Sequence, residues 1–259
     1  MKERVPDLSK ARVLISNDDG VNAPGLKALE RVMKRIAGDV WVVAPELEQS
    51  AASHSLTLRS PLRIHKITKR KFCVTGTPTD SVMLAVHEVM KDNPPDIVLS
   101  GINRGGNLGE DVTYSGTVAA AMEGTLLNIP SVAFSLVTPD GAKAHWKTAE
   151  AYVEQVMKHL VGVNFPRSVL INVNIPDCPV DKVTGIEITR QGRRKIGCEL
   201  QRGRDPKGQP YFWIGAQRDE DRSLKHTDLE AVNRGAVSVT PLSLDLTHKA
   251  MLKTLKAVF

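Results

Sequence analysis

Residues 11–25 read ARVLISNDDGVNAPG, and in them two carboxylates, Asp18 and Asp19, stand side by side just after the apolar run Val13, Leu14, Ile15. Adjacent like charges repel, and taking them out of water without a partner is costly. Two arrangements relieve this. A hard divalent cation that prefers oxygen ligands can sit against the pair, or Asn17, Asp18, Asp19 and Gly20 can form a solvated Asx turn. The residues themselves leave both open.

Two further stretches carry side chains suited to chemistry. Residues 100–124 read SGINRGGNLGEDVTYSGTVAAAMEG. Asn103 and Asn107 lie among glycines there, and Ser115, Gly116 and Thr117 open a small-residue run over 118–122. A glycine-rich loop entering a helix presents free N–H groups and a positive dipole end to an anion. Amide oxygens serve a metal, and amide N–H groups serve a phosphate. A flexible loop with an ordinary Ser/Thr cap is the plain alternative. The stretch holds no GxxxxGK[ST] loop, and no GxGxxG follows the first apolar run, which excludes two common nucleotide fingerprints. Residues 44–58, APELEQSAASHSLTL, add Ser50, Ser53, His54 and Ser55. Their hydroxyls can complete a metal sphere or touch substrate. His54 has the chemistry of a general acid, although a surface histidine is the plainer reading.

These residues need elements to position them. Short runs at 13–16, 40–44, 72–75, 97–100, 132–136 and 169–173 are apolar through both faces, as parallel strands covered by helices are. Helical stripes lie between them. Leu26, Leu29, Met33 and Ile36 follow Pro24, and Trp146, Ala149, Val153, Val156 and Leu160 form another. Thr79 is the expected N-cap of a helix over 82–90. Strands alternating with helices predict a mostly parallel α/β sheet with right-handed crossovers. In such sheets ligands bind beyond the carboxyl ends of the strands. Asp18 and Asp19, the loop 45–55, and Ser100, Gly101 and Asn103 therefore converge on one edge.

After about residue 175 charge, Gly and Pro take over. Residues 186–189 and 211–215 read as the strands of a hairpin arm over 186–222. A long polar two-stranded arm is unstable alone, so it packs on the body or on a second subunit. A closing strand at 237–240 and an amphipathic helix within 244–259 end the chain. The expected organisation is one domain over 1–259, with a body at 11–175, the arm, and a closing unit at 236–259.

The chain's 259 residues, 25% charged and 41% hydrophobic, are ordinary for a globular protein. Aromatics are only 4%, too few for a platform that stacks single-stranded nucleic acid. The net charge of +6 suits an anionic ligand, and equally a lysine-rich surface. MKERVPDLSK has no apolar run after its charges, and no apolar stretch reaches membrane-spanning length. Cys73, Cys178 and Cys198 are odd in number and form no CxxC pair, so reduced thiols and a cytoplasmic location are expected.

SNDDGVNAPG, GTPTDSV, SGINRGGNLGEDVTYSGTVAAAMEG and VTPLSLDLT, in that order, resemble the SurE family of survival proteins across residues 11 to about 250. Ser81 stands where many relatives carry Cys. The resemblance implies a Rossmann-like three-layer α/β sandwich whose hairpin arm and terminal helix exchange between subunits in homodimers or homotetramers. It implies a phosphatase that acts on nucleoside 5′-monophosphates, and also on 3′-monophosphates and short polyphosphate, without nucleic acid polymers or membranes as partners. It matches Asp18, Asp19, Ser50 and Asn103 to one divalent cation per subunit, magnesium or manganese. It matches Asn107, Ser115, Gly116 and Thr117 to the phosphate. Asp19, beside Asp18, is the expected catalytic residue, orienting and deprotonating water or attacking phosphorus. The DxDxT pattern of phosphatases that form an aspartyl-phosphate is absent, which favours water. A non-catalytic nucleotide or phosphate sensor is the competing reading, since fold does not fix function. A pure anion binder, however, gains nothing from two carboxylates beside its ligand.

Overall fold

The computed structural model describes residues 4–139, 141–196, 200–214 and 218–259, so Cys198 and Gly215 of the sequence reading lie outside the described residues. In chain order the strands are β1 (Arg12–Ser16), β2 (Asp39–Pro45), β3 (Ile64–Thr68), β4 (Lys71–Val74), β5 (Ile97–Arg104), β6 (Ser131–Val137), β7 (Val169–Pro176), β8 (Ile186–Ile188), β9 (Arg194–Ile196), β10 (Leu200–Arg204), β11 (Pro210–Ile214), β12 (Arg218–Glu220) and β13 (Val237–Ser243). Nine of these form one sheet in the order β3-β4-β2-β1-β5-β6-β7-β13-β8. The pairings from β4 through β7 are parallel, and β3 on β4 and β13 on β7 are antiparallel.

The helices are α1 (Pro24–Ile36), α2 (Pro78–Leu84), α3 (Gly116–Leu126), α4 (Trp146–Leu160), α5 (Asp228–Asn233) and α6 (Lys249–Lys256). Alternation along β1 assigns the layers. Val13 and Ile15 pack with Leu26, Leu29 and Met33 of α1 and Val153 and Met157 of α4. Leu14 packs on the other face with Val82 of α2 and Ala120 of α3. Side chains of this size, fully buried, each contribute about 1.5–3 kcal/mol. The result is the expected α/β sandwich, with α1 and α4 tied across their outer faces by Arg31–Glu150 and Arg35–Glu154 ion pairs.

The structure departs from the sequence reading at four places. The cap of α2 is Thr77, not Thr79. Thr77 accepts from the Asp80 N–H while the Asp80 carboxylate accepts from the Thr77 N–H, and Pro78 sits at the first helical position. The α-helical hydrogen bonds then end at Leu84, and a wider π-type turn carries the chain over Ala85–Val89. β3 was not foreseen, because IHKIT is an edge strand whose side chains are half-buried to exposed. The fourth departure concerns the arm. Ile186–Ile188 is not part of it but pairs in parallel with β13 in the main sheet. The arm is instead a double ladder, β9 with β12 at its root and β10 with β11 beyond.

Tyr211, Phe212, Trp213 and Ile214 of the arm are exposed, as are Met251, Leu252 and Leu255 of α6. Among the described residues no helix is long and apolar enough to cross a membrane.

Candidate active site

The carboxyl ends of β1 and β5 open into a cavity of about 770 Å³. Asp18, Asp19, Ser50, Asn103, Asn107 and Ser115 all line it, although up to 97 positions separate them in sequence (Asp18 to Ser115). Gly116 and Thr117 do not line it; both stand behind Asp18. A Cβ on Gly116 would lie 2.7 Å from the Asp18 Cβ, so α3 approaches β1 closely only because that side chain is missing. The Thr117 hydroxyl donates to Asp18 Oδ1. Its place is therefore against the carboxylate, not against the site expected for phosphate.

The Asn-Asp-Asp-Gly turn is not a solvated Asx turn, since Asn17 Oδ1, which would accept in one, is buried without a hydrogen-bond partner among the described residues. Asn17 closes the turn, its Nδ2 donating to the Gly20 carbonyl at 3.0 Å. Asp18 and Asp19 face the cavity instead of bulk solvent. Burial pushes the Asp18 carboxyl above the usual carboxylate range, against the hydrogen bond from Thr117 and backbone N–H groups. Burial, and after it the charge of Asp18, push Asp19 up to about 7, against a 3.4 Å bond from the Arg104 N–H and the positive charge of the Arg104 side chain. Neither carboxylate has an ion pair among the described residues. Two desolvated like charges side by side form an electrostatic deficit that a bound cation would relieve.

The remaining donors suit a hard cation. Asn103 spends its Nδ2 on the Gly105 carbonyl at 2.9 Å, and its Oδ1 accepts no hydrogen bond among the described residues. Ser50 is exposed and donates to Glu48 Oε1 at 2.8 Å, and Glu48 also lines the cavity. No group of three His, Cys, Asp or Glu side chains suited to a metal occurs among the described residues. Two carboxylates with neutral oxygens would offer a cation oxygen ligands alone, the kind a hard divalent cation prefers. Asn103 reaches the cavity by a detour in β5. The pairing of β5 with β6 slips between Ser100 and Asn103, where the Gly101–Ile102 peptide is cis. Gly101 sits at φ +123°, and a Cβ there would lie 2.3 Å from the Phe134 carbonyl oxygen.

Facing the carboxylates are hydrogen-bond donors. Ser115 caps α3, accepting from the Val118 N–H at 3.0 Å, and its own hydroxyl proton remains available. Asn107 is buried in a polar network. Its Nδ2 donates to Ser135 Oγ at 2.8 Å, and its N–H donates to Asn174 Oδ1 at 2.8 Å. Its carbonyl accepts from Asn172 and Asn174.

Several lining residues escaped the sequence reading: Arg104, Asp111, Tyr114, Trp146 and Arg194. Arg104 and Tyr114 lie inside the glycine-rich stretch and could have been singled out. Asn172 and Asn174 interrupt an otherwise apolar strand at alternate positions, which is also a readable signal. Arg194 comes from the arm root, and nothing local marks it. His54, a candidate acid, is held at 2.9 Å from Glu123 and does not line the cavity.

A family model described as survival protein SurE matches residues 13–197. A protein named 5′-nucleotidase SurE from Paramagnetospirillum magneticum is 59% identical over 255 residues, 98% of each chain. Another of that name from Rhodospirillum rubrum is 54% identical over 256 residues, again 98% of each. The crystal structure of a SurE protein from Aquifex aeolicus superposes with a TM-score of 0.83 at 40% identity, covering 95% of this chain and 99% of that one.

Proposed function

The chain belongs to the SurE family, and on that premise we propose that its cavity hydrolyses nucleoside 5′-monophosphates to nucleoside and inorganic phosphate, with one divalent cation held by Asp18, Asp19, Ser50 and Asn103. The observation that carries this reading is the pair of adjacent, desolvated carboxylates, Asp18 buried and Asp19 half-buried, lining one cavity with the capped start of α3. A magnesium or manganese ion, when bound, supplies Lewis-acid polarisation of a phosphate oxygen and neutralises negative charge.

The chain's own groups do the rest. The Ser115 hydroxyl donates to a phosphate oxygen, and the positive end of the α3 dipole adds potential there, while the Thr117 N–H and hydroxyl serve Asp18. Asn107 shapes the wall beside them. Asp19 orients a water molecule and takes its proton as the water oxygen bonds to phosphorus. The bond from phosphorus to the ribose oxygen breaks, that oxygen takes a proton from solvent to become the nucleoside hydroxyl, and Asp19 returns its proton to solvent. Asp18, fixed by Thr117, keeps the geometry of the pair. Nucleoside 3′-monophosphates and the ends of short polyphosphate chains present the same phosphoryl group and are included among the substrates.

Assembly belongs to the same proposal. The exposed aromatic arm and α6 exchange between copies in a homodimer or homotetramer, since each leaves apolar surface uncovered. One domain over 1–259 then comprises the body, the arm and the closing unit. Free thiols at Cys73 and Cys178 suit the cytoplasm.

The test is phosphate release from a panel of nucleoside monophosphates, with manganese and with EDTA. Release that EDTA abolishes is expected. Tight nucleotide binding without release in either condition would instead establish the sensor reading.

A further inference from the structure

We infer that Asp228, far from the cavity in sequence and absent from its lining, is a positioning residue for the hydrolysis proposed above: with Gln191 and Arg194 it anchors the turn that sets Ser115 against the phosphate. The turn is the 3-10 segment Gly109–Thr113, and Tyr114 and Ser115 follow it directly. Asp228 is fully buried. Its Oδ2 accepts from the Gly109 N–H at 2.9 Å, and its Oδ1 accepts from the Gly192 and Leu229 N–H groups, both at 2.8 Å. One carboxylate thus joins the turn, the arm root and the start of α5.

The neighbouring bonds act in the same direction. Gln191 Nε2 donates to the Gly109 carbonyl at 2.8 Å. The Arg194 N–H donates to Glu110 Oε2 at 2.9 Å, and the Arg194 guanidinium is paired with Asp111 through Nε and Nη2. Three successive residues of the turn, Gly109, Glu110 and Asp111, are therefore held by the stretch 191–194 and Asp228. The other end of the loop is pinned separately, because Asn107 is locked into β6 and β7 by Ser135, Asn172 and Asn174. A cap held from both ends is preorganised to meet an oxyanion, which is where donors act most strongly. Among the described residues none of the metal-side residues Asp18, Asp19, Ser50 and Asn103 is hydrogen-bonded to 109–111, 191–194 or Asp228; Asp18 meets the start of α3 through the Thr117 hydroxyl, and the loop of Ser50 meets the end of the turn through Ser53, which donates to the Thr113 and Tyr114 carbonyls.

Asp228→Asn separates the two halves of the site. Asparagine offers one acceptor oxygen to three converging N–H groups, and its own NH₂ must face at least one of them. The full-length variant is assayed with 5′-AMP and inorganic phosphate, and its manganese affinity is measured by electron paramagnetic resonance. The inhibition constant for phosphate and the KM for 5′-AMP rise about tenfold, equivalent to roughly 1.4 kcal/mol, while manganese affinity stays within about twofold of wild type. Gln191→Ala, which removes one bond from an exposed side chain, shifts the same constants two- to threefold, roughly, as one neutral hydrogen bond does. It decides the matter alone if Asp228→Asn does not fold. Unchanged phosphate affinity in the folded variants, or a parallel loss of phosphate and manganese affinity, overturns the inference. Wild-type protein that releases no phosphate from any nucleotide overturns the functional reading, and this inference with it.

Discussion

Asp19→Asn should make the metal-free protein more stable, and only above mildly acidic pH. The substitution keeps the shape of the side chain and removes a charge that burial and Asp18 oppose. A folded-state value of about 7 against an ordinary 3.8 means that the native protein binds a proton the unfolded chain has already released. Stability therefore falls as pH rises from about 4 to about 7, and the penalty is complete above that window. At about 1.4 kcal/mol for each tenfold change in proton affinity, the ceiling is roughly 4 kcal/mol. Asp19 retains some solvent contact, which screens part of this, so about 1–2 kcal/mol is the expected gain. For a chain of this length that raises Tm by roughly 3–6 °C. The assay is calorimetry of wild type and variant in EDTA at pH 4.5 and pH 8. The gain appears at pH 8 and nearly vanishes at pH 4.5. Adding manganese then reverses the ranking, because the wild type gains about 2.7 kcal/mol at a hundredfold excess over Kd and the variant does not. A variant with the same Tm difference at both pH values, or one less stable at pH 8 without metal, refutes the claim that Asp19 is a carboxylate held in electrostatic deficit.

Gly116→Ala places a methyl group 2.7 Å from the Asp18 Cβ, so Asp18 must move, and turnover should drop by about two orders of magnitude while circular dichroism stays native. Ser115→Ala removes both the cap of α3 and a donor to phosphate. It should cost about 1 kcal/mol of stability in urea unfolding, and turnover should fall by roughly 10²-fold; unchanged kinetics would move the phosphate site elsewhere. Replacing the exposed Trp213 with Lys should shift the sedimentation coefficient towards the monomer if the arm is an assembly surface. A wild type that sediments as a monomer at micromolar concentration contradicts that assignment.

Much of the body was readable because its strands are apolar on both faces and its helices carry one apolar stripe. β1, β5 and α1 appear within a few residues of their expected bounds. The cap of α2 was readable as well: Thr77, Pro78 and Asp80 spell a capping box with proline at its first position, and the reading settled on the next threonine instead. What failed were features decided by distant partners. Ile186–Ile188 looks like arm because its partner strand β13 lies some fifty residues later. The acidic pair drew attention through its own repulsion, and Ser115 through its cap chemistry. That Thr117 turns to Asp18 depends on how α3 lies over β1, which no local pattern records. Arg194 and Asp228 matter through a turn eighty or more residues upstream, so nothing in their own neighbourhood distinguishes them from surface charges.

The strand order β7-β13-β8 has a consequence for synthesis. β8 enters the sheet only through β13, so it has no partner until residues 237–243 have been made. A nascent chain can assemble β1 to β7 and already carry Asp18, Asp19 and Asn103 before its arm root and the Asp228 anchor, at residues 194–229, have been made. Pairing across such sequence distances is slow because loop closure precedes the contacts that reward it. The half-built sheet meanwhile leaves the Leu170 and Val173 edge of β7 open to other chains. Products that stop before residue 237 should therefore be captured by chaperones or degraded before they hydrolyse anything, and a working site marks a chain in which β13 has been made.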